Sequence, residues 1–151
     1  MPWKVEFYVD SEGNEPVKDF ILAQSKDTIA EVIHVFKLLR EFNIGLGMPY
    51  VKKIDKSGLR ELRIKHSSNI YRVFFFAYIG QKFVLLHAIM KKQDTTPEGD
   101  KRLALERMRE YMTRNPGPNA SWVVIITYKL YYKGRFEPIW TTTHFRGYFY
   151  E

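Results

Sequence analysis

The sequence predicts an α+β domain in which helices pack against a mostly antiparallel sheet. Two observations carry this. Three consecutive strand-like runs, at about 59–65, 69–78 and 82–91, are separated by turns too short for anything but antiparallel pairing. Before and after them, apolar residues recur at helical spacing.

Each element has a local reason. Residues 3–9, "WKVEFYV", alternate as a strand does. "DSEGNEP" is a turn cluster, and Pro16 suits the first turn of a short helix that reaches about residue 24. A longer helix runs from Lys26 to about Asn43, with Ile29, Val32, Ile33, Phe36 and Leu39 as its apolar stripe. Ser25 is its expected N-cap and Gly45 its expected stop. Residues 44–58 read as a loop holding Lys52, Lys53 and Lys56. After the three strands, "TTPEGDKRLALERMREYMTRN" reads as a helix, with acids early, arginines late and an apolar stripe of Leu105, Met108 and Met112.

The turns set a register. With Ser67 and Ser68 as a two-residue turn, Arg63 lies opposite Arg72, Leu62 opposite Val73 and Ile64 opposite Tyr71. With "IGQK" as a type II′ turn, Phe74 lies opposite His87 and Arg72 opposite Ile89. Alternation then gives one face to Glu61, Arg63, Lys65, Arg72, Phe74, His87 and Lys91. Leu62, Ile64, Tyr71, Val73, Phe75 and Met90 take the other and should meet the helices. Like charges directly opposite are destabilising. The Arg63–Arg72 pair therefore implies either neutralisation by Glu61 or a site that holds an anion. His87, inside an apolar run, is either a packed histidine or a proton carrier on the charged face. Lys91 and Lys92 are either a solvated strand end or part of the same site.

Composition narrows the function. The 151 residues fit one domain with an appendage, and 45% hydrophobic content supports a core. The formal net charge is +7, and residues 51–92 alone carry ten basic residues against Asp55 and Glu61. Such a balance favours an anionic partner. The absence of cysteine excludes disulfides, thiolate metal sites and a cysteine nucleophile, and the four histidines show no metal-ligand spacing. "MPWKVEFYVD" does not read as a signal peptide, and "FVLLHAIM" is too short to span a bilayer, so a cytoplasmic protein is expected.

"GLRELRIKHSSNIYRVFFF", followed by "KFVLLHAIMKK" and "TP", closely resembles the phage-derived, HigB-like branch of the RelE/ParE toxin superfamily. The resemblance covers roughly residues 2–114. It implies a RelE-like fold with helices packed on one face of the sheet. It also implies a toxin held by a cognate antitoxin of the helix-turn-helix DNA-binding type. Many members cleave mRNA on the ribosome without a metal or cofactor, by attack of a ribose 2′-OH on the adjacent phosphate. ParE-like members instead inhibit DNA gyrase, and an inactive binding relative is a further alternative. The resemblance matches Arg63, Arg72, Lys91 and Lys92 to the family's basic positions, so Arg63, Arg72 and Lys91 are the expected catalytic residues at the phosphate, and His87, the only imidazole on the predicted charged face, is the candidate proton carrier. Lys52, Lys53, Lys65 and Lys92 would bind the RNA backbone, and Phe74 would stack on a base. The chain departs from ribosome-dependent members after the last basic strand. "QDTTPEGD" stands where they often carry an aromatic or histidine.

These readings divide the chain into a toxin domain at 1–114 and an aromatic-rich extension at 115–151. The extension holds ten aromatics and no catalytic motif, and low order is expected in it.

Overall fold

The computed structural model describes residues 3–116. In chain order these form β1 (Lys4–Phe7), α1 (Pro16–Leu22), α2 (Lys26–Phe42), a 3-10 turn (Asn43–Gly45), β2 (Val51–Lys53), β3 (Arg60–His66), β4 (Asn69–Tyr78), β5 (Lys82–Met90) and α3 (Glu98–Arg114). The five strands make one sheet in the order β1-β5-β4-β3-β2. Only β1 runs parallel to its neighbour, β5. The α+β class and the mostly antiparallel sheet are as expected. The reading of residues beyond 116 as a low-order extension lies outside the described residues.

Local chemistry explains most boundaries. Pro16 opens α1. The Ser25 hydroxyl caps α2 by accepting from the Thr28 amide at 3.2 Å. The same helix ends at Phe42, close to the expected end, and Asn43 at φ 47° turns the chain two residues before the expected stop at Gly45. Its buried line is Thr28, Val32, Val35 and Leu39, whereas Ile33 is 48% exposed. Strand β2 falls inside the expected loop. It is three residues long, too short for alternation to register, and exists because β3 offers it an edge.

The β3–β4 register is as expected, with Arg63 opposite Arg72 and Ser67 at φ 54° in the turn. The β4–β5 register holds from Tyr71–Met90 to Phe74–His87 and then shifts, so that Phe75 meets Leu85. Leu86 is the extra residue of a β-bulge. The shift also lengthens the turn to Ile79–Gln81, with Gly80 at φ 87° and Gln81 at φ 56°, in place of a two-residue type II′ turn.

The helices divide between the faces. α1 and α2 bury Val17, Ile21, Val32, Val35 and Leu39 against Leu62, Ile64, Tyr71, Val73 and Phe75. That is the face expected to meet helices. α3, however, lies on the opposite face, where Leu105, Met108, Tyr111 and Met112 pack with Phe74, Phe76, Val84 and Leu86. The apolar residues on both sides of β4 and β5 require cover on both. Among the described residues no helix is long and apolar enough to cross a membrane.

This packing separates two positions that one sequence stripe contains. Leu39→Ala should cost about 2–5 kcal/mol by opening a cavity. Ile33→Ala should cost less than about 1 kcal/mol. Urea titration of the two variants checks the orientation of α2; equal losses would contradict it.

Candidate functional site

The charged face is built around Glu61, which is 1% exposed. Its Oε1 accepts from Arg63 Nε at 3.0 Å and lies 3.2 Å from Arg72 Nε. The Arg72 contact is electrostatic: Nε is off the axis for a hydrogen bond and has no other partner. Thr96 donates its hydroxyl to Oε2 at 3.3 Å. One carboxylate thus bridges the two arginines that β3–β4 pairing places opposite each other and offsets half of their charge.

Arg72 is itself 1% exposed. Its Nη1 donates to the Thr95 carbonyl at 3.2 Å, and its Nη2 to the carbonyls of Gln93 and Asp94, each at 2.9 Å. This arginine therefore ties the 93–95 loop to the sheet. With both terminal nitrogens donating to loop carbonyls and its side chain 1% exposed, Arg72 serves as an anchor and does not present a free fork to a substrate phosphate, as was expected of it.

Two further expectations change for the same reason. Phe74 is fully buried beneath α3, stacked on His87 at 5.9 Å between ring centroids, and offers no surface to a base. His87 has both ring nitrogens engaged. Nε2 lies 2.7 Å from Asp100 Oδ1, and Nδ1 lies 3.4 Å from Arg107 Nη1. With Nε2 against the carboxylate and Nδ1 against the guanidinium, the ring is fixed, which is the packed reading of this histidine. Its pairing with α3 does not fit a free proton carrier.

Arg107 is the residue that sequence reasoning missed. From α3 it donates to the Leu86 carbonyl at 2.9 Å, satisfying the bulge, and its guanidinium sits 5.5 Å over the Tyr8 ring. Asp100 and Arg107 are seven residues apart, so one face of α3 carries both. That spacing was the available signal.

What remains accessible is a band at the end of the sheet that α3 leaves open. Arg63 and Lys91 are half-buried, Lys52, Lys65 and Lys92 exposed. On the band face, Lys65 and Lys91 flank Ile70, whose carbonyl receives the Lys91 amide at 2.7 Å. Lys52 lies opposite Glu61 on β2. Lys53, by contrast, pairs with Arg60 and alternates to the other face. Lys91 Nζ meets Asp94 Oδ1 at 2.6 Å. That hydrogen bond and charge, with Arg72 and Arg63 adding to the field, hold the Asp94 carboxyl below its ordinary range. Beside the band, Arg72, Lys92 and Gln93 border a cleft of about 540 Å³ with Phe20, Met90 and Asp100.

The two arginines should separate in stability. Arg72→Ala takes one of two cations from the buried Glu61, leaves three carbonyls without their donor and should cost about 3–5 kcal/mol. Arg63→Ala should cost about 1 kcal/mol, since its side chain reaches water. Denaturant titration of the full chain measures both. A cost for Arg72→Ala no larger than for Arg63→Ala would refute the anchoring role.

The comparisons place this geometry in a family. A family model described as Phage derived protein Gp49-like (DUF891) matches residues 19–109, from α1 into α3. No match was found among curated proteins. The matched span contains the Glu61–Arg72 anchor, the basic band and most of α3, more than half of the chain. The chain belongs to the Gp49-like family of phage-derived proteins, a toxin-like family related to the RelE toxin superfamily.

Proposed function

We propose that this protein is a HigB-like toxin of a type II toxin–antitoxin pair that cuts translated mRNA on the ribosome in the cytoplasm. The observation that carries the reading is the uncovered band of Arg63, Lys65, Lys91 and Lys92, with Lys52 beside it, next to the buried Glu61–Arg72 pair.

The reaction has modest chemical needs. The 2′-oxygen of a ribose attacks the adjacent phosphorus, a five-coordinate transition state gathers negative charge, and the 5′-oxygen of the next nucleotide departs. The protein must align the chain, stabilise that charge and move protons. Arg63 would present its remaining N–H groups to the non-bridging oxygens. Lys91 would release Asp94 and turn its ammonium to the phosphate, with Lys92 next to it. Lys52 and Lys65 would hold the flanking backbone. Arg72 acts through the loop it anchors, as a positioning residue. Side-chain cations supply the charge that a metal supplies elsewhere, so the step is written without a cofactor. A cognate antitoxin of the helix-turn-helix DNA-binding type would silence the protein by covering the same band.

The engagement of both His87 nitrogens favours one competing reading, a ParE-like toxin that binds gyrase and performs no RNA chemistry.

Inducing the full chain in cells and mapping new mRNA 5′ ends separates the two. Wild type should generate ends within translated codons, and Arg63→Gln/Lys91→Gln should reduce them at least tenfold. Growth arrest without new ends would sink the ribonuclease reading in favour of gyrase.

A further inference from the structure

The β2–β3 end of the sheet carries a second concentration of positive charge that the band does not use. Lys53 and Arg60 are paired directly across the two strands. Alternation turns them away from Lys52, Glu61 and Arg63. Like charges in this position oppose strand pairing. Among the described residues neither side chain forms an ion pair, and Lys56, in the connecting turn, forms none either.

The three cations line one cleft of about 390 Å³, together with Asp55, Gly58 and Leu59. The single acid there is already committed. Asp55 accepts from the Ser57 amide at 2.8 Å and from the Ser57 hydroxyl, and Lys101 of α3 reaches it at 3.1 Å. Burial pushes its carboxyl up, but these partners outweigh burial and hold it below its ordinary range. Gly58 sits at φ 93°, a conformation that favours glycine and closes the turn around the cleft. The cleft is thus concave, cationic and lacking a counter-charge.

We infer that the Lys53–Lys56–Arg60 cleft binds a phosphate of an RNA backbone, separately from the band where cleavage is proposed. A phosphodiester offers two anionic oxygens that one arginine fork and two ammonium groups can share. An acidic peptide fits less well. Its apolar side chains would find only Leu59 among the lining residues, and Leu59 is fully buried. β2 is the edge strand of the sheet, and at its turn into β3 Lys53 and Arg60 point away from the band while Asp55 of the same cleft meets α3. One RNA chain can pass around that edge, gripped at the turn and cut at the band. The inference rests on the ribonuclease reading for the identity of the polyanion, and deepens it by giving the substrate a second anchor.

The test is binding of a 2′-O-methyl RNA oligonucleotide, which cannot attack its own phosphate, to the full-length chain over a range of salt. Lys53→Gln/Lys56→Gln/Arg60→Gln should reduce the slope of log affinity against log salt by about 2, at roughly 0.7 per cation on single strands. Poly-glutamate binding should change much less. The same variant should unfold at an equal or higher urea concentration than wild type, because like-charge opposition is relieved. An unchanged RNA slope overturns the inference, as does a larger change with poly-glutamate or a loss of stability. Mapped mRNA ends distinguish the two ideas. Cleavage by wild type with an unchanged slope removes this site alone. A reduced slope from a protein that cuts no RNA removes the cleavage reading alone.

Discussion

Glu61 sits between Arg63 and Arg72 at the centre of the sheet, and the rest of the charged face is arranged around that contact. Two guanidinium groups opposite each other on adjacent strands repel, and a buried carboxylate alone is costly to desolvate. Together they compensate, provided the remaining donors find acceptors. Arg72 finds three in the carbonyls of residues 93–95. The ion cluster thereby joins β3, β4 and the segment that leads into α3. Removing Arg72 would leave Glu61, where water does not reach, with Arg63 as its one remaining cation.

α3 completes the arrangement. Arg107 fills the carbonyl that the β5 bulge leaves unpaired, and Asp100 holds His87 above Phe74. Leu105, Met108, Tyr111 and Met112 cover the apolar half of the same face. The helix divides that face into a sealed part and an open band. The sealed part buries Phe74 and ties Arg72 and His87 to protein partners, while Arg63, Lys65, Lys91 and Lys92 keep access to solvent. Function is therefore read from what α3 leaves uncovered.

Much of this was legible in the sequence. The short turn at Ser67–Ser68 led to the Arg63–Arg72 pair, because turn length fixes register; the Phe74–His87 pair follows only because the bulge at Leu86 offsets the extra residue in the turn near Gly80. The bulge was not legible: an extra residue changes the alternation only where both faces are polar on one side and apolar on the other, and "FVLL" is apolar throughout. β2 escaped because three residues carry no periodicity. The placement of α3 was missed because Glu61, Arg72 and His87 were read as a solvent-facing row. The contrary signal was present in Phe74, Phe76, Val84 and Leu86, which share that face and need cover. A polar residue among such neighbours is more consistently explained as paired and buried than as exposed. The basic band was legible as charge, but which of its members reach solvent depends on tertiary cover that one-dimensional spacing does not encode.

The central claim is that the open band aligns a ribose 2′-OH against its own phosphate. The chemistry of the cut ends tests it most directly. Purified protein, translating ribosomes and a defined mRNA should yield upstream fragments ending in a 2′,3′-cyclic phosphate and downstream fragments beginning with a 5′-hydroxyl, since the 2′-oxygen forms the new bond and the 5′-oxygen leaves. Fragments with a 3′-hydroxyl and a 5′-phosphate would mean that water, not the ribose, is the nucleophile, and would contradict the account.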